Sequence, residues 1–137
     1  MYATGQGLND VIGVVGDDNG EIYAANFNSA ELYRITNGNV ALYSNLKDTL
    51  SNARINMIDY ADGFIYVPVF SGRILRVDDS NSETSIFAGS ADESTTNGPI
   101  NEATFSSPAA IDFSSDNQEM FVIDSDTGNV RRVYIGD

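Results

Sequence analysis

The chain has no cysteine, no histidine and no tryptophan. Without cysteine there is no disulfide, no metal thiolate and no thiol nucleophile, and the redox compartment leaves no mark on the sequence. Without histidine, zinc hydrolase centres, Ser-His-Asp triads and imidazole general bases are excluded. Positive charge is almost as scarce: one Lys and six Arg stand against 20 acids, a formal net charge of −13 over 137 residues. Phosphate backbones and anionic membrane surfaces are gripped by basic patches, so nucleic acid and membrane are excluded as partners. No run approaches 18 apolar residues, and Met1 to Gly5 carries neither a basic nor an apolar leader. The chain therefore reads as soluble, with its compartment unassigned. Helical periodicity is missing as well.

What is present is repetition. Gly20 to Ile35 (GEIYAANFNSAELYRI), Gly63 to Val77 (GFIYVPVFSGRILRV) and Glu119 to Val133 (EMFVIDSDTGNVRRV) share one pattern. Each has an aromatic-bearing strand, a polar turn, and a second strand ending in Arg and a β-branched residue. Tyr23 to Tyr66 spans 43 residues and Arg34 to Arg76 spans 42, close to the period of a four-stranded propeller blade, about 40–45. Tyr66 to Phe121 spans 55 because Ala91 to Ala103 is inserted. The expected fold is all-β: a β-propeller of four-stranded antiparallel blades, three to the chain.

Turn chemistry divides each unit into strands a to d. The first unit (residues 9–46) predicts strands over Val11–Gly16, Glu21–Phe27, Glu31–Thr36 and Asn39–Ser44. The second (51–90) predicts Ile55–Tyr60, Phe64–Phe70, Arg73–Val77 and Thr84–Ala88. Pro68 forfeits a ladder bond there and predicts a bulge. The third (104–137) supplies Ala110–Phe113, Met120–Asp124 and Asn129–Ile135 and lacks its outer strand. Residues 1–8 precede the first strand a, and Met1 to Gly5 resembles the end of the second unit's strand d, Ile86 to Gly89. Three blades cannot close a ring, since propellers run from about four to eight blades. Two chains would give six, as a homodimer in which residues 1–8 complete the partner's third blade. The competing expectation is a piece of a longer propeller.

Phe87 to Val133 resembles the NHL-repeat family of β-propellers, through Phe105, Pro108, Ile111, Phe121, Val122, Asp124, Gly128, Asn129 and Arg132. The strand-b Asp of that pattern is replaced by Asn26 in the first unit and by Val69 in the second. The resemblance implies the propeller and leaves function to sites grafted on it. RNA-binding members use a basic face, which this chain lacks. Amidating lyases of this type hold a metal through His, also lacking. The six-bladed gluconolactonase and paraoxonase group implies an axial Ca²⁺ held by Glu, Asn and Asp, but no matching Glu stands near the first strand a.

The local candidates are weaker than the fold. Asp124 to Asn129 has oxygens in alternation like a calcium loop but no closing Glu, so a hairpin turn accounts for it. The same holds for Asp17 to Glu21 and Asp78 to Asn81. Arg34, Arg76 and Arg132 recur at one repeat position, which marks scaffold, each pairing at a blade-to-blade contact. A ligand pocket, if present, belongs at the axis, where the connections from strand d to the next strand a converge. These carry Asn9 and Asp10, Asn52 and Arg54, and Ser106 and Ser107, groups fit to hydrogen-bond a polar small molecule or a protein partner. No catalytic or metal site is assigned, and Ca²⁺ is the one cofactor the lactonase-like alternative would need.

Overall fold

The computed structural model describes residues 1–135; Gly136 and Asp137, the end of the third unit's range, lie outside the described residues. Eleven strands form three antiparallel sheets in chain order. The first blade is β1 (Val11–Gly16), β2 (Ile22–Asn26), β3 (Glu31–Thr36) and β4 (Asn39–Asn45). The second is β5 (Asp59–Ala61), β6 (Phe64–Val69), β7 (Arg73–Asp78) and β8 (Thr84–Gly89). The third has three strands, β9 (Pro108–Phe113), β10 (Glu119–Asp124) and β11 (Asn129–Tyr134). A single 3₁₀ turn, Leu46–Asp48, leads out of the first blade, capped by Asn45, whose side chain accepts from the Lys47 amide. No helix among the described residues is long and apolar enough to cross a membrane.

Two-residue turns set the registers. Asn37-Gly38 and Asp62-Gly63 have φ values of 50° and 81°, and 48° and 83°, the paired left-handed conformations that suit tight hairpins. Each blade thus meanders with neighbouring strands paired. The connections β2–β3 and β4–β5, and their counterparts in the other blades, emerge at one end of the sheets, here the upper face.

Strand a of the second blade is shorter than expected. Instead of Ile55–Tyr60, only β5 is a strand, with Ile55 reduced to an isolated bridge to Val69. Pro68 is the cause: its carbonyl accepts the Asn56 amide at 2.9 Å, but it has no N–H to return. The Met57 amide turns instead to Ala109 O in the third blade, at 3.2 Å. The β6–β7 pairing runs unbroken through Pro68 and Ile74, and the expected irregularity falls on the strand-a side, where Ile55 to Asp59 oppose Val69 to Tyr66 with one residue extra.

Burial follows position in the stack. The middle blade has a neighbour on each face, so Ile65 to Val69 are all buried. Between the first two blades lie Tyr23, Leu32, Leu46, Ile55, Ile65, Val67, Val69, Leu75 and Val77; between the second and third lie Tyr66, Ile74, Phe105, Ile111, Met120, Val122 and Val133. Stacked sheets bury alternate side chains this way, each large one contributing about 1.5–3 kcal/mol. β10 has a neighbour on one side only and alternates: Met120, Val122 and Asp124 are inside, while Ile123 is out.

Residues 1–8 contain no strand in the single chain. They lie across the first blade's outer face, with Ala3 and Leu8 packed on Ala24, Tyr33, Ile35 and Val40. Gly7 sits so close to the Tyr33 ring that no Cβ would fit. The recurring arginines act within a blade rather than between blades: Arg34 pairs across the sheet with Glu21 at 3.2 Å, and Arg132 with Glu119 at 3.4 Å. Arg76 stands over Phe64 and Phe87 instead.

Candidate functional site

The same backbone bond recurs at the upper end of every blade. The first residue beyond strand b donates its amide to a carbonyl on the connection entering strand a: Phe27 to Asp10 at 3.0 Å, Phe70 to Arg54 at 3.0 Å, and Ser125 to Ser107 at 2.9 Å. Asp10, Arg54 and Ser107 are therefore structurally equivalent, as are Asn26, Val69 and Asp124 at the ends of their strands.

In the first and third blades a polar strand-b residue holds that connection. Asp124 is wholly buried, and its two carboxylate oxygens accept the amides of Ser106 and Ser107, each at 2.8 Å. Asn26 accepts the Asn9 amide at 3.2 Å and donates to Gly7 O at 2.9 Å. These bonds satisfy buried polar groups that would otherwise be costly. In the second blade Val69 packs on Ile55, and the Ala53 amide is satisfied by Leu50 O at 2.9 Å.

The six sequence-predicted residues thus fall into three local pairs on one face, and the scaffold engages the backbone amides of Asn9, Ser106 and Ser107 and the side chains of Asp10 and Ser106. Asp10 accepts both the backbone and the side-chain N–H of Asn28, at 2.9 and 2.6 Å, and the Asn28 backbone bond is the main cause that holds its carboxyl below its ordinary value. Ser106 also donates to Asp126 at 3.2 Å, and Ser107 is buried. Asn52 is exposed on the loop before β5.

Arg54 is different. Its guanidinium lies 4.9 Å from the Phe27 ring centre and 5.7 Å from that of Phe70, and the two rings meet edge to face at 5.6 Å. Among the described residues it has no ion pair and no hydrogen-bond acceptor for its side chain. Phe27 and Phe70 escaped the sequence reading, although they occupy one repeat position where the third blade has Ser125. That alignment was the available signal.

Two further features were not expected. Along the inner edge, Val11, Ile12, Gly13, Val14, Met57 and Ile58 line an apolar groove of about 350 Å³, so the wall beside the polar loops is greasy. β1 approaches closely there because Gly13 has no side chain: a Cβ would lie 3.0 Å from the Ile58 nitrogen. The insertion Ala91–Ala103 is pinned to its own blade by Arg131, which donates to Thr104 O at 3.1 Å and Thr96 O at 2.9 Å and stacks over Phe105. Gly72, at φ 79°, lets the chain just beyond that loop pass, since a Cβ would lie 2.5 Å from Phe105 O.

At the lower end the first two blades are joined by a phenol, Tyr43, which donates to Asp79 O at 2.6 Å. Within the second blade Tyr60 donates to the Asp79 carboxylate at 2.9 Å. Burial, then the bond to Asp79, pushes the Tyr60 hydroxyl up to about 12. Desolvation likewise raises the Asp59 carboxyl on β5, with a smaller contribution from Asp112 on β9.

No family model matches the chain, and no curated protein matches it. Solved structures do. An auxiliary nutrient binding protein from Bacteroides thetaiotaomicron is 18% identical with a TM-score of 0.72, over 89% of this chain and 33% of that one. A structural genomics protein of unknown function from the same organism is 18% identical with a TM-score of 0.67, over 83% and 30%. Virginiamycin B lyase from Staphylococcus aureus is 14% identical with a TM-score of 0.58, over 93% and 42%. The chain spans less than half the length of each. At these identities the likeness carries architecture and not activity, and with the stacked blades above it makes this chain a three-blade stretch of β-propeller.

Proposed function

We propose that the chain is a non-enzymatic binding module of NHL type, whose upper face takes a polar ligand or a protein partner. The observation that carries the reading is the asymmetry of that face. Asp10, Arg54 and Ser107 share one backbone bond, but their side chains differ, and scaffold repeats whereas sites do not. A binding role is also in keeping with the name of the nutrient binding protein that shares the fold. The alternative is a calcium-dependent hydrolase with a site on the central axis, which would need oxygen ligands for Ca²⁺ there. Calorimetric titration with Ca²⁺ tests this: the expected result is no saturable heat, and a micromolar isotherm abolished by Asp10→Ala would favour the hydrolase.

The module in this reading is a six-bladed homodimer. The third blade's outer face exposes Ile123, Val130 and Tyr134 at 46%, 71% and 63%, around an apolar groove of about 240 Å³ formed with Ala110, Ile111 and Phe121. A second copy's first blade would cover it, and residues 1–8 would leave the face they now cover to pair with β11, whose outer edge is open. Light scattering should give about 30 kDa, twice 14.8 kDa; a stable monomer would refute the ring.

A further inference from the structure

Arg54 is the one member of the upper-face set whose charge the scaffold does not use. Arg34, Arg131 and Arg132 each lie within 4 Å of a carboxylate, as expected in a chain of net charge −13. The carboxylate at the equivalent position, Asp10, is engaged by Asn28. A guanidinium lying this close to aromatic rings is attracted through their π faces without spending any of its N–H donors. Phe27 and Phe70 therefore fix the fork without consuming its donors. Phe70 itself is 38% exposed, so an apolar surface borders the cation.

We infer that Arg54, clasped between Phe27 and Phe70, anchors a site for a monoanionic organic carboxylate, a sugar acid or an aromatic acid, whose carboxylate takes the fork while its ring lies against Phe70. The inference rests on the upper face being a binding surface and names what it binds. The fork matches a carboxylate with two parallel bonds. The strongly negative chain disfavours a multiply charged anion such as phosphate over a single charge. The flanking rings add contact area that a small inorganic ion cannot use.

The test is a titration of the full-length protein, followed by NMR of the Arg54 Nε–H and the Phe27 and Phe70 ring signals. D-galacturonate and benzoate distinguish the two acid sources; D-galactose, benzyl alcohol and inorganic phosphate are the controls. A saturable shift at Arg54 is expected with one or both acids and not with the controls. Arg54→Gln should weaken binding about tenfold or more, the scale of losing a bidentate charged contact, with amide dispersion unchanged. Arg54→Lys, which keeps the charge and loses the fork, should restore only part of the affinity. Equal binding of galactose at Asn9, Asn28 and Asn52 with Arg54 unmoved would overturn the carboxylate and leave the binding face standing. Phosphate binding as tightly as the acids would overturn the carboxylate class, and no response to any probe would overturn the site.

Discussion

The second blade differs from its neighbours at one position, and the difference changes what its upper loop can do. In the first and third blades Asn26 and Asp124 reach out of strand b and hold the incoming connection by its amides. In the second, Val69 gives an apolar contact, and the same blade is tied to the first at its lower end by the Tyr43 hydroxyl, which donates to Asp79 O. The backbone bond at the upper end is kept in all three. Scaffold and site are thus separable here: the carbonyl is common property, while the side chain on the same residue is free to be Asp, Arg or Ser.

That contrast is open to attack by mutation. Asp124→Ala should have the largest effect, about 3–4 kcal/mol lost in urea denaturation, because it strips two buried amides of their acceptor and leaves the buried Arg131 without its carboxylate neighbour at 3.9 Å. Asn26→Ala removes neutral bonds from the equivalent place and should cost about 1–2 kcal/mol in the same assay. Equal losses at the two positions would contradict the charged character of the third-blade clamp.

The phenol at the lower end of the second blade should show as an alkaline limb. The folded-state value of Tyr60 is raised from 10.0 to about 12, so the unfolded chain gives up that proton first. Its contribution is whole below pH 10 and declines as pH climbs from 10 towards 12. Tyr60→Phe should flatten part of that decline in a pH series of thermal melts; Tyr23, Tyr33, Tyr43 and Tyr66, also raised by burial, contribute to the rest. The smallest effect belongs to Arg54→Ala, about 0.5–1 kcal/mol, the worth of an exposed cation–π contact. A loss as large as that of Asp124→Ala would make Arg54 scaffold after all.

The blades were legible because their signals are local. Asn37-Gly38 and Asp62-Gly63 demand tight turns, alternation marks the half-buried strands, and the predicted ranges of β1 and β3 agree with the structure at both ends. The recurring Arg was legible as scaffold but not its partner, since Glu21 and Glu119 become neighbours only through cross-strand register. The failures have the same root. Ile55–Tyr60 reads as a strand until Pro68, thirteen residues on, withdraws the N–H it needs.

Residue type and spacing alone were enough for three antiparallel blades, for the face on which the inter-blade connections meet, and for the absence of histidine and cysteine chemistry. These follow from residue type and from periods of two and about forty, which need no knowledge of distant contacts. It took the folded chain to show that the Asp10 carboxylate and the Ser106 and Ser107 amides are engaged by the scaffold and that Arg54 lies against two phenylalanines from different blades. Whether a polar group is free depends on which acceptors the stacked blades bring within about 3 Å, and that geometry is written in no single stretch of chain.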